Sequence, residues 1–127
     1  VKGTDIQLFV STFYQEGGSP EFDSAIKNYI NSNSDALAAN GGNDTIYAVT
    51  AMGYDAYYVA LEAFKAAGSA DPAAIKAALP NVTYTGVSGD IAFDATGDAI
   101  RDTAYIKTAN TAEGVWALET VQSGSGK

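Results

Sequence analysis

Between Tyr47 and Ala67 the chain reads YAVTAMGYDAYYVALEAFKAA, a helical run with almost no charge. Asp55, Glu62 and Lys65 interrupt it, which rules out a membrane span. A helix this apolar cannot lie on a surface and must be covered on nearly every side. Val49, Met52, Ala56, Ala60, Ala63, Phe64 and Ala67 are expected to form one packed stripe, with Tyr57, Tyr58, Val59 and Leu61 filling much of the rest. The alanines and Gly53 let a neighbouring element approach closely. Yet the chain has 127 residues, enough for one modest core and little to spare for covering such a helix.

Punctuation around this helix sets the other elements. Gly68 suits a left-handed C-terminal residue. Asp71 caps a second short helix with Pro72 in its first turn, and Pro80 ends it. Upstream, Ile6–Thr12 (IQLFVST) reads as a strand buried on both faces, as in a parallel sheet. Tyr14–Ser19 is a loop, and Ser19-Pro20 starts a helix with a hydroxyl cap and a proline at the first turn. Phe22, Ala25, Ile26, Tyr29 and Ile30 give that helix its apolar face. Asn31–Asp44 is polar and read as a surface loop. Beyond Pro80 the period shortens, and Val82–Tyr84, Asp90–Phe93, Ala104–Thr108 and Val115–Val121 read as strands, the last two as an antiparallel hairpin around NTAEG. The order predicts an α/β unit with an appended antiparallel region.

Composition excludes several function classes. Fifteen acidic against seven basic residues give a net charge of −8, with no Lys/Arg cluster to neutralise phosphates, so nucleic acid is not an expected partner. There is no Cys and no His, which removes thiolate chemistry, the commonest general base and the commonest transition-metal ligand. Ser11 and Ser88 lack a base that would make either a nucleophile. No enzyme, metal or cofactor is expected. Asp90, Asp94, Asp98 and Asp102 lack the oxygen pattern of a calcium loop, and Asp94–Gly97 is more simply a β-turn. Lys76 and Lys107 are read as solvated. The opening VKGTDIQLFV lacks the features of an export signal, so an exported form would have lost its N-terminus.

The ordered set AMGYDAYYVALEAFKAAGS, DPAAIKAAL and YTGVSGDIAFDATGDAIRDTAYI, with VSTFY and SPEFDSAIKNYI upstream, resembles the C-terminal part of the type I periplasmic solute-binding proteins. More narrowly it is similar to their branched-chain amino-acid-binding branch, the extracellular receptors of ABC importers. The resemblance spans residues 6 to 121. It implies partial Rossmann-like lobes with C-terminal antiparallel strands. Residues 1–14 would be a remnant strand of lobe 2, 15–19 an interlobe crossing, 20–110 part of lobe 1, 111–122 the return crossing, and 123–127 a flexible tail. On that mapping the chain is about the last third of a receptor. Its ligand would be a branched-chain or related amino acid and its partner an ABC permease. Its location would be periplasmic or extracellular, and the resemblance allows a lipid anchor in the precursor. The alternative is a ligand-sensing ectodomain on the same scaffold without transport.

Candidate site residues follow from the same mapping. Thr12, Phe13 and Tyr14 lie at the C-terminal end of the first strand, where ligands bind in open α/β sheets; Phe13 would either wall the cleft or plug the hinge. Val49 and Thr50 stand where family members place an apolar ligand contact, with core packing as the competing reading. Tyr54-Asp55-Ala56 is read as a packing signature, with Asp55 near the helix start favouring the dipole. The acidic anchor for the ligand ammonium and the hydroxyl anchor for its carboxylate fall outside these residues. A long apolar helix stripped of its cover predicts a homo-oligomer.

Overall fold

In the computed structural model, which describes residues 2–124, helix α1 (Pro20–Ser32) begins at the expected proline. Ser19 forms no side-chain cap; Glu21 and Asp23 occupy the first turn instead, where their charges face the positive end of the helix. Only part of the expected face is covered: Phe22 and Ile30 are buried and Ile26 half-buried, while Ala25 and Tyr29 remain exposed. The segment read as a polar loop contains a further helix, α2 (Ser34–Ala39). Its cap is Asn33, whose Oδ1 accepts the N–H groups of Asp35 and Ala36 at 3.0 Å each. This satisfies two of the donors a helix start leaves free.

Helix α3 (Ala48–Ala67) ends at Gly68, whose φ of 58° is the left-handed geometry that glycine adopts without penalty. The row it buries differs from the expected stripe. Ala51, Asp55, Val59 and Ala63 are buried, whereas Ala56, Ala60 and Phe64 are exposed and Val49 is 74% exposed. A row of alanines offers little area, and the requirement to satisfy Asp55 decides which face turns inward. Helix α4 (Pro72–Ala78) is capped by Asp71, which accepts the Ala74 N–H at 3.2 Å. A single 3₁₀ turn, Leu79–Asn81, carries Pro80.

Two three-stranded antiparallel sheets complete the chain. One is a meander of β2 (Tyr84–Gly86), β3 (Gly89–Phe93) and β4 (Ala99–Ile100). It packs on α3 through Val59, Ala63, Val82 and Ile91, with Ile75, Leu79, Tyr84 and Phe93 around them. A second cluster, Tyr14, Phe22, Ile46 and Ala51, joins α1 to the start of α3. Aromatic contacts run between the two: Tyr14 to Phe22, Phe22 to Tyr54, Tyr54 to Tyr58, and Tyr58 stacked on Tyr84 at 5.9 Å.

The other sheet orders β1 (Phe9–Thr12), β5 (Thr103–Asn110) and β6 (Val115–Ser123). The β5–β6 hairpin turns at Asn110–Gly114 as expected, with Asn110 Oδ1 accepting from Ala112 and Glu113. The expected parallel, doubly buried strand does not occur. β1 runs antiparallel to β5, Phe9 opposite Thr108 and Thr12 opposite Tyr105, and Phe9 and Val10 are exposed. Among the described residues its strand partner is β5 of the hairpin, and no helix packs broadly on this sheet. Cross-strand partners share a face, so Val10, Lys107 and Leu118 lie together, flanked by Tyr105 with Val121 and by Ala109 with Trp116. Trp116, Leu118 and Val121 are exposed.

Candidate functional site

At the C-terminal end of β1 the bare sheet meets the helical body around a cavity of about 590 Å³. Val10 and Thr12 of β1, Lys107 of β5 and Trp116 of β6 form one wall; Gln15 and Tyr47 are on the other. The segment between β1 and α1 is pinned firmly here. Asp23 accepts the Tyr14 hydroxyl at 2.6 Å and the Gly17 N–H at 2.6 Å. Glu16 accepts the Ile46 N–H at 2.7 Å and pairs with Lys27 at 2.8 Å. That hydrogen bond raises the Lys27 ammonium pKa above its usual value. Burial, reinforced by the bond to Asp23, pushes the Tyr14 phenol well above its ordinary range.

One polar atom in this wall is unpaired. Gln15 Oε1 is buried and has no hydrogen-bond partner among the described residues, and its side chain lines the cavity. Buried acceptors are normally satisfied, by protein, water or ligand. A cation, the Thr12 hydroxyl and two aromatic rings around one concave space offer a setting for a small molecule with a polar head and an apolar body.

The sequence-derived site residues are distributed unevenly over this geometry. Thr12 lines the cavity. Phe13 is 37% exposed and lies beneath the Arg101 guanidinium, 5.2 Å from its ring centroid. Tyr14 is 2% exposed, in the core, with its hydroxyl committed to Asp23. Tyr47 and Ala48 line the cavity, while Val49 and Thr50 follow them in the first turn of α3. The Thr50 N–H donates to the Tyr47 carbonyl at 2.9 Å. Gln15, Tyr47, Lys107 and Trp116 were not singled out by sequence. Lys107, read as solvated, is half-buried and turned to the cavity wall. A polar Gln-Glu pair directly after a strand end was the available signal.

A second polar centre lies on α3. Asp55 is fully buried and is in the middle of the helix, not near its start. Its carboxylate accepts the Val87 N–H at 2.9 Å, the Ser88 N–H at 2.8 Å and the Ser88 hydroxyl. It therefore closes the β2–β3 turn from below, as a charge-assisted latch. Gly86 makes the approach possible: a Cβ there would overlap the Asp55 carboxylate. The sequence hint was a lone carboxylate in an otherwise uncharged stretch from Tyr47 to Leu61. The Asp94–Gly97 turn is as expected, with Asp94 Oδ1 accepting from Thr96 and Asp98. These bonds, the Thr96 hydroxyl foremost, lower the Asp94 pKa.

A profile of the periplasmic binding protein family matches residues 8–114. The chain belongs to that family, one of binding proteins. Among solved structures it is similar to the leucine-binding protein LivK from Thermotoga maritima, with 28% identity and a TM-score of 0.63. The similarity covers 91% of this chain and 31% of LivK. No curated protein matches the chain. Among the described residues no helix is long and apolar enough to cross a membrane.

Proposed function

We propose that this chain is part of a two-lobed receptor that binds a branched-chain or related amino acid outside the cytoplasm and delivers it to an ABC importer. The observation that carries the reading is the likeness to a leucine-binding protein over 91% of the chain but only 31% of its relative. Surface area supports it independently. The chain exposes 8360 Å², whereas a compact monomer of its mass exposes about 6,400 Å². The difference, about 2,000 Å² on one chain, exceeds the roughly 800 Å² per partner of a standard interface and is of the size that obligate interfaces cover.

In this reading residues 1–14 belong to lobe 2, 15–19 cross between lobes, 20–110 belong to lobe 1 and 111–122 cross back. Thr12 and the start of α3, with Val49 and Thr50, edge the cleft; Phe13 borders it, and Tyr14 holds the crossing rather than the ligand. Ligand would bridge the lobes and stabilise the closed state through contacts absent from the open one. The test is a chimera in which this chain replaces the matching third of LivK. Leucine binding by the folded chimera, measured by calorimetry, is expected. A folded chimera without leucine binding contradicts the proposal.

A further inference from the structure

Phe13, at the edge of the proposed cleft, is tied to the core of α3 through a series of contacts that passes through Arg101. The Arg101 Nη1 donates to the Ser88 carbonyl at 2.9 Å and to the Ser88 hydroxyl oxygen at 3.1 Å. Its guanidinium lies over the Phe13 ring at 5.2 Å. Ser88 is itself held by Asp55, through both its N–H and its hydroxyl. The contacts thus run from a fully buried carboxylate on α3, through a turn that only glycine at position 86 permits, to an aromatic ring beside the segment joining β1 to α1.

Two features argue that this is a positioning device and not incidental packing. First, Arg101 is half-buried, yet no carboxylate lies within ion-pair distance of it among the described residues. A guanidinium not neutralised by an acid keeps its full attraction for an aromatic face. Second, one guanidinium nitrogen, Nη1, holds both Ser88 oxygens while the guanidinium carbon lies over the Phe13 ring. A lysine ammonium lacks the planar guanidinium and would not cover the ring in the same way. Meanwhile Tyr14, Glu16 and Gly17 are anchored separately, to α1 and to Ile46. The crossing segment is therefore fixed from two sides, and Phe13 is the point fixed from the hairpin side.

We infer that Arg101 is a positioning residue: through Ser88 and Asp55 it transmits the placement of the β2–β3 turn to the Phe13 ring and so sets the edge of the ligand cleft. The cleft assignment rests on the proposed receptor function; the relay itself does not. Side-chain NMR of the 127-residue chain with labelled phenylalanine tests the relay directly. The native protein should show one Phe13 χ1 rotamer. Arg101→Gln and Arg101→Lys should both give rotamer averaging at Phe13, while the Val87 and Ser88 amides keep their native exchange rates. Ser88→Ala removes the hydroxyl contact but keeps the carbonyl that accepts from Arg101 at 2.9 Å, and should loosen the ring less than Arg101→Gln. A single Phe13 rotamer retained in Arg101→Gln overturns the relay. In the LivK chimera, Arg101→Gln should weaken leucine about two- to fivefold; unchanged affinity overturns the role at the cleft. A chimera that never binds leucine, with Phe13 still ordered by Arg101, would sink the receptor reading alone.

Discussion

Two of the hairpins, β2–β3 and β5–β6, are held in opposite ways. The β2–β3 hairpin has short strands and little ladder of its own. It is fixed from outside, by the Asp55 carboxylate beneath its turn and by Val82 and Ile91 against α3. The β5–β6 hairpin is long and pairs from Thr103–Ser123 to Asn110–Val115, with one irregularity between Ile106 and Lys107. It is sustained by backbone pairing, and Trp116, Leu118 and Val121 remain on an exposed face. A two-stranded hairpin needs further support: the first takes it from α3, and the second from its longer ladder and the third strand β1. The meander is thus backed by a helix, and the β1–β5–β6 sheet keeps an exposed apolar face.

Substitutions should expose that difference, beginning with the latch. Asp55→Leu leaves the Val87 N–H, the Ser88 N–H and the Ser88 hydroxyl without their acceptor. It should cost about 3–5 kcal/mol in urea denaturation, a large share of a domain's stability. Gly86→Ala places a Cβ against the carboxylate and should cost about 2 kcal/mol. Combined with Asp55→Ala, the two costs should sum to less than their separate values, because they disrupt one contact.

Smaller effects are expected at the crossing. Tyr14→Phe should lose about 1–2 kcal/mol with the bond to Asp23. Burial first, then the bond to Asp23, raises the Tyr14 pKa above the ordinary phenol value of about 10, so folding favours the neutral phenol. Its contribution is present in full below pH 10 and is lost as pH rises beyond that value. Alkaline unfolding curves should therefore be less steep for Tyr14→Phe. The smallest change in stability belongs to the bare sheet, where Trp116→Thr with Leu118→Thr should stay within about 0.5 kcal/mol. Their effect should appear in light scattering instead, as a shift from oligomer toward monomer, because an exposed apolar face drives association. A native chain that is already monomeric would break this part of the contrast.

Elements with local chemical punctuation were legible in the sequence. Pro20, Gly68, Asp71-Pro72 and the Asn110–Gly114 turn each mark a boundary that the structure keeps. The direction of β1 was not legible, because a short apolar run looks the same in parallel and antiparallel sheets. Helix α2 was hidden because its cap, Asn33, sits among other asparagines and serines that suggest a loop. The Asp55 latch was missed for a different reason. Its partners Val87 and Ser88 lie more than thirty residues away, and no helical periodicity reports them. The order of the motifs nevertheless identified the family, since it depends on sequence alone.

In the proposed receptor this chain supplies one wall of a shared cleft, and binding belongs to the larger molecule. Calorimetric titration of the 127-residue chain with leucine, isoleucine and valine tests it most directly. If the proposed receptor draws its ammonium and carboxylate anchors from residues outside this chain, no saturable heat is expected at micromolar ligand. A dissociation constant near 1 μM, worth about −8 kcal/mol, would show that this chain holds a complete site and would contradict the account.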